Sequence, residues 1–237
     1  MLSVLLLSLN NYGLDVCHEF NSSWYNDHVD ENHLDSKLNK LDDNKYSILI
    51  GNTKVIWDYF IKWIKQDQNR IDIDNPFDAY VKFAIEETLK CLKDENTKYQ
   101  LYWSYHVNKD EGLVSMARVS SCSGLCYLDD TTHLAIHPIF GTWVSFRCVI
   151  VTSLQYPDLD HKPISLPCPI SNDSLDKAKE LFEEALSKSN QVDNYLYWVK
   201  VRECVNSDIQ QQYRFSNNQI EYHYCDDRKS VLNRLRE

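Results

Sequence analysis

The segment IHPIFGTWVSFRCVIV, residues 136 to 151, constrains the fold more than any other part of the chain, because it places an arginine inside a run that reads as buried strand. Trp143, Val144, Phe146, Cys148, Val149, Ile150 and Val151 are the aromatic, β-branched or small apolar types that fill a sheet covered on both faces. Arg147 sits among them. A guanidinium stays protonated at physiological pH, so turning it inward costs on the order of several kcal/mol unless an anion lies opposite. That anion is either a carboxylate of the protein or one brought by a ligand, and the residues leave both open.

The remaining pattern alternates between the two periods of regular structure. MLSVLLLSLNNYG reads as a helix ending near Asn11 and Gly13, and Val16 to Phe20 as a strand. The acidic stretch 26 to 43 reads as a mobile loop, and Tyr46 to Ile50 as a short strand before a helix capped by Asn52 or Thr53. Val55, Ile56, Tyr59, Phe60, Trp63 and Ile64 give that helix its buried face. Asn75 and Pro76 open another helix in the cap-then-proline order, with Phe77, Tyr80, Val81, Ala84, Ile85, Leu89 and Leu92 as its stripe. Tyr99 to Val107 alternates as a strand, Lys109 to Gly112 turns the chain into a segment Leu113 to Val119, and Ser174 to Ser187 carries helical spacing. Residues 195 to 205 fit helix and strand equally. Helices early and strands in the middle predict an α+β fold on a largely antiparallel sheet, with residues 1 to 237 as one domain.

Composition excludes several function classes. Thirty-five acidic against 25 basic residues, a formal charge of −10, gives no footprint for a phosphate backbone or an anionic bilayer, so no nucleic-acid or membrane partner is expected. No apolar run is long enough to cross a membrane, and the N-terminal one lacks the basic leader and cleavage site of a signal peptide. Eight scattered cysteines in a chain this long read as thiols of a reduced, cytoplasmic protein. Five glycines supply neither a dinucleotide fingerprint nor a phosphate loop, and HLAIH (133 to 137) has Leu134 where a zinc protease needs glutamate. Cys122, Cys126, His133 and His137 offer zinc-ligand types, at a spacing tighter than a finger uses. The expected metal set is therefore none.

Arg202, in YLYWVKVRECV, and Arg228, in EYHYCDDRKSVL, repeat the pattern of arginine among aromatics. Each alone reads as a surface side chain with its stem packed on rings. Gathered with Arg147, they would suit a ligand with more than one carboxylate, because guanidinium forks match carboxylates bidentately.

In order along the chain, SSWYND (22 to 27), NPFDAYV (75 to 81), LVSMARVSSCSGLCY (113 to 127), IHPIFGTWVSFRCVIV and PDLDHKP (157 to 163) resemble the cobalamin-processing proteins of the cblC type. The resemblance implies a nitroreductase-like fold, a central antiparallel sheet flanked by helices, with cobalamin in a large cavity. It implies removal of the upper axial ligand: alkyl groups pass to the thiolate of glutathione, and cyanide leaves on reduction by thiol or by FMN or FAD. It assigns Arg147, Arg202 and Arg228 to glutathione, and Ser104, Leu113, Val114, Ser115, Met116, Tyr127, Leu128, Asp129, Ala135 and Phe146 to cobalamin. No catalytic side chain is assigned, because the thiolate comes from glutathione. A cblD-type partner, and either a monomer or a ligand-dependent homodimer, follow from the same source. The sequence departs from vertebrate relatives in a shorter 127 to 135 connector, in Ser120 for histidine, in Asp129 for glutamine, and in Ile139 and Thr142 for arginine and glycine. A flavin reductase of the same fold and a non-catalytic cobalamin carrier remain as alternative readings.

Overall fold

The computed structural model describes residues 2–91, 97–159, 163–188, 194–206, 208–225 and 227–235. Leu92, and residues 160 to 162 of the PDLDHKP stretch, lie outside them. The strands are β1 (Val16–Asn21), β2 (Lys45–Asn52), β3 (Tyr99–Trp103), β4 (Tyr127–Leu128), β5 (Ala135–Ile136) and β6 (Ser145–Gln155). The helices are α1 (Leu2–Asn10), α2 (Ser22–Glu31), α3 (Ile56–Gln66), α4 (Pro76–Cys91), α5 (Met116–Cys122), α6 (Asn172–Ser187), α7 (Tyr195–Glu203), α8 (Asp208–Gln211), α9 (Asn217–Tyr224) and α10 (Arg228–Arg234). The main sheet has the order β1-β2-β6-β3 with every pairing antiparallel, and helices cover it, so the fold is α+β as expected.

Both faces of this sheet are buried, which accounts for the unbroken apolar run of β6. Ile48, Ile50, Cys148 and Ile150 pack on one side against Phe60, Phe77 and Tyr80 of α3 and α4. Leu49, Val149 and Val151 pack on the other side against Trp24, Tyr25 and Val29 of α2 and Val119 of α5. Each of these large side chains contributes about 1.5–3 kcal/mol on leaving water.

At the start of β6 the alternation breaks. Ile50 pairs with Cys148 but the next residue, Gly51, pairs with Phe146, so Arg147 is an extra residue opposite nothing on β2. A bulge of this kind turns its side chain out of the regular pleat. Phe146 accordingly joins the second core and Cys148 the first, although two residues apart they would share a face in a regular strand. Gly51 makes the close approach feasible, since a Cβ there would stand 2.8 Å from the Ser145 carbonyl oxygen.

Several local expectations give way to tertiary context. The first third of the supposed loop 26 to 43 belongs to α2, capped by Asn21, whose side chain accepts from the Ser23 amide at 3.0 Å. The acidic residues of α2 are its outer face, and Trp24, Tyr25 and Val29 are its core face. Neither Asn52 nor Thr53 caps α3; the residue before it is Val55, with no side-chain cap. The strand expected to reach Val107 stops at Trp103, and Val107 is exposed. The segment Leu113 to Val119 is helical from Met116, with Ser115 capping α5 and accepting from the Arg118 amide at 3.5 Å. Residues 195 to 203 are helical, and α6 starts at Asn172.

Candidate functional site

The bulge aims Arg147 into a cavity of about 260 Å³, and two further arginines reach the same space: Arg202 from the last turn of α7 and Arg228 from the start of α10. Phe77, Asp78, Tyr222 and His223 complete much of the wall. Among the described residues, Arg147 does not form the internal ion pair that its sequence context left open. Its Nε donates to Asn52 Oδ1 at 2.6 Å, and its guanidinium lies 4.7 Å from the centre of the Phe77 ring. Among the described residues, no ion pair joins Arg147, Arg202 or Arg228 to any carboxylate.

Arg202 is held by its surroundings on every side. Nη1 donates to the Tyr224 hydroxyl at 2.9 Å, Nη2 donates to the Thr142 carbonyl, and the guanidinium lies 4.5 Å from the Trp143 ring centre and 5.1 Å from that of Phe215. The HPIFGT turn, residues 137 to 142, supplies that carbonyl. His137 Nδ1 accepts from the amides of Ile139 (3.0 Å) and Phe140 (3.2 Å), closing the turn. Gly141, at φ +60°, lets Asn206 approach closely, and Asn206 Oδ1 then accepts from the Thr142 amide at 2.9 Å. Thr142 Oγ1 in turn donates to the Arg202 carbonyl at 3.0 Å. Thr142, a departure from the cblC-type pattern, is therefore part of the frame.

Arg228 is more loosely tied, with Nη1 at 3.5 Å from Asn75 Oδ1 and its guanidinium 6.0 Å from the Tyr222 ring centre.

Three cations in one half-enclosed space perturb each other and their neighbours. Burial pushes the Arg147 guanidinium down to about 10; Asp78 draws it up and Arg202 opposes it, and it remains a cation at neutral pH. Burial raises the Asp78 carboxyl above its ordinary range, while Arg147 and Arg228 pull it back. Burial, then the charges of Arg147, Arg202 and Arg228, hold the His223 imidazole well below its ordinary value, so it is neutral at pH 7. Its Nε2 is buried without a hydrogen-bond partner. Sites of this kind, with several titratable groups pushed from their ordinary values in a cleft, are functional candidates on physical grounds.

The residues assigned to cobalamin by resemblance are more dispersed. Tyr127 and Leu128 line a second cavity of about 330 Å³ together with His28 and Cys122. Ala135 pairs with Leu128 across β4 and β5. Val114 and Met116 are buried in the core beneath α5, with Phe146 packed against the same cluster. Leu113 accepts from the Asn39 amide at 2.8 Å, and the Ser115 amide donates to Tyr25 Oη at 3.1 Å. Asp129 is buried with Oδ2 accepting from both the amide and hydroxyl of Thr132 at 2.7 Å, an arrangement that shapes the short connector. Ser104 is exposed just past β3, its amide donating to the Arg147 carbonyl at 2.9 Å. Among the described residues, no group of three or more His, Cys, Asp or Glu is placed to hold a metal ion, so Cys122, Cys126, His133 and His137 do not form a zinc cage. Sequence reasoning missed Asn52, Asp78, Asn206 and His223; only the aromatic run EYHY around His223 carried any local signal.

No protein-family model matches the sequence, and a search of curated proteins finds no match. Among solved structures, the chain superposes on the C. elegans B12-trafficking protein CblC, a homologue of human MMACHC, with a TM-score of 0.74. The alignment covers 99% of this chain and 95% of that one, at 19% identity. The chain has the CblC fold. Two epoxyqueuosine reductase structures, one of them from Bacillus subtilis, match over 73% of this chain and 50% of theirs, with TM-scores of 0.46 and 0.43 and identities of 11% and 14%.

Proposed function

We propose that the chain is a cytosolic cobalamin-processing enzyme that binds glutathione in the arginine cavity and uses its thiolate to remove the upper axial ligand of cobalamin. The observation that carries this reading is the meeting of Arg147, Arg202 and Arg228 in one cavity without an ion pair among the described residues. The two carboxylates of glutathione suit two guanidinium forks, and the excess positive charge favours the thiolate over the thiol. Attack on a cobalt-bound methyl group forms the S–C bond while the Co–C electron pair stays on cobalt. Holding both reactants in a site shielded from water is the protein's contribution. The shared fold with CblC and the ordered sequence motifs support cobalamin as the substrate, with Tyr127 and Leu128 at the second cavity as its first contacts. Reduction of cyanocobalamin by thiol or by added FMN or FAD belongs to the same reading.

The test is an anaerobic incubation with methylcobalamin and glutathione. The expected result is bleaching of the alkylcobalamin spectrum with formation of S-methylglutathione, and a loss of thiol use in Arg147→Ala that exceeds any loss of cobalamin binding. Tight cobalamin binding without turnover would instead identify a carrier, and nitro-compound reduction by a flavin-loaded protein a flavin reductase.

A further inference from the structure

We propose that Asp78 makes the arginine cavity selective for peptide thiols that carry an α-ammonium group beside their carboxylates. The inference rests on the glutathione reading and adds to it the group that chooses among thiols.

Asp78 stands in the first turn of α4, where a carboxylate also favours the helix N-terminus, but its placement goes beyond that role. It lines the same cavity as the three arginines and yet makes no ion pair with any of them. A neutral amide separates the charges. Asn75 Nδ2 donates to Asp78 Oδ2 at 2.5 Å, while Asn75 Oδ1 faces Arg228 Nη1 at 3.5 Å. Arg147 likewise takes its side-chain hydrogen bond from a neutral amide rather than from Asp78, its Nε donating to Asn52 Oδ1. The other Asp78 oxygen, Oδ1, makes no hydrogen bond among the described residues and is not sealed in the core. The cavity therefore holds cations and one carboxylate side by side without a direct ion pair among the described residues, and a partly desolvated carboxylate in that state favours an incoming cation.

Charge matching points the same way. Three guanidiniums against Asp78, with a neutral His223, leave the cavity doubly positive. Glutathione as its thiolate has two carboxylates, one thiolate and one α-ammonium, and is doubly negative. A thiol without the ammonium group leaves Asp78 unpaired and is one unit more negative overall than the cavity's charge matches. A simple thiol without carboxylates engages none of the arginines.

The experiment is calorimetric titration of the intact protein at neutral pH with glutathione and with des-amino glutathione, in which the α-ammonium is replaced by hydrogen. The wild-type chain should bind glutathione more tightly by about tenfold or more, the scale of one charge-assisted hydrogen bond. Asp78→Asn retains an oxygen for Asn75 and should bring the ratio close to one. Equal wild-type affinities, or an unchanged ratio in Asp78→Asn, would overturn the inference while leaving the glutathione reading intact. Binding of neither compound would overturn both. Equal wild-type affinities overturn the inference even if the variant fails to fold.

Discussion

Arg147 Nε donates to Asn52 Oδ1 at 2.6 Å, so β6 aims its guanidinium with a neutral amide and leaves the charge uncancelled. A carboxylate at position 52 would turn this contact into an internal ion pair and satisfy the cation from within. Asn52→Asp should therefore lower glutathione affinity about tenfold, because the ligand's carboxylate now competes with a fixed one. Folding stability should change little, since the new ion pair offsets the lost bond from Asn52 Nδ2 to the Thr53 carbonyl. Calorimetric titration together with thermal unfolding separates the two effects. A variant that binds as tightly as the wild type would mean that Arg147 does not contact the ligand.

Gly141 is where the signature turn meets α7. A Cβ at this position would stand 1.8 Å from Asn206 Oδ1, and the φ of +60° is itself unfavourable for an L side chain. Gly141→Ala should displace Asn206, break its bond to the Thr142 amide and cost about 2 kcal/mol or more, seen as a fall in Tm of roughly 4–8 °C. Adding Asn206→Ala relieves the collision but not the lost hydrogen bond. The double variant should thus recover part of the stability that Gly141→Ala loses, as thermal unfolding of the two will show.

How far these features were legible depended on whether their cause was local. The apolar stripes of α3 and α4 and the buried run of β6 follow from side-chain period, and the arginine inside that run was visible at once. The bulge was not, because it depends on Gly51 of β2, about a hundred residues earlier in the chain, admitting the Ser145 carbonyl. In α2, acidic outer residues masked the helical spacing of Trp24, Tyr25 and Val29. Asn52 read as a helix cap since its type and position fit one, and only the pairing of β2 with β6 gives it to Arg147. Asp78 and His223 look like ordinary members of helical stripes until α4 and α9 bring them to the same cavity.

His137 gives the stability of the turn a pH dependence. Its Nδ1 accepts from two amides, which requires the neutral ring, and burial, with His18 nearby, pushes its pKa down to about 4. The unfolded chain takes up this proton near the ordinary histidine value of about 6.5. Between those two values the unfolded state binds more protons, so the contribution is complete above about pH 6.5 and falls as pH drops toward 4. His137→Asn keeps an oxygen where Nδ1 accepts and cannot titrate. Denaturant unfolding at pH 7 and pH 5 should show the wild type losing about 2 kcal/mol more than His137→Asn. His28 and His223, both shifted in the same direction, are present in both proteins and cancel in the comparison.

Arg202 and Arg228 supply the same charge to the cavity through different attachments, and lysine substitution distinguishes them. Arg202 bridges the Thr142 carbonyl and the Tyr224 hydroxyl while stacking between Trp143 and Phe215. A lysine keeps the charge but has neither the flat face nor the divergent donors to make these contacts together. Arg202→Lys should lose about 1–2 kcal/mol of stability along with about tenfold in glutathione affinity. Arg228, which among the described residues has one long contact to Asn75 and a ring centre 6.0 Å away, has little structural role to lose. Arg228→Lys should thus leave Tm nearly unchanged and weaken binding only by the difference between a fork and a point charge. Thermal unfolding of the two variants side by side, with glutathione titrations on each, decides the matter: an Arg228→Lys protein as unstable as Arg202→Lys would show that the frame extends to α10.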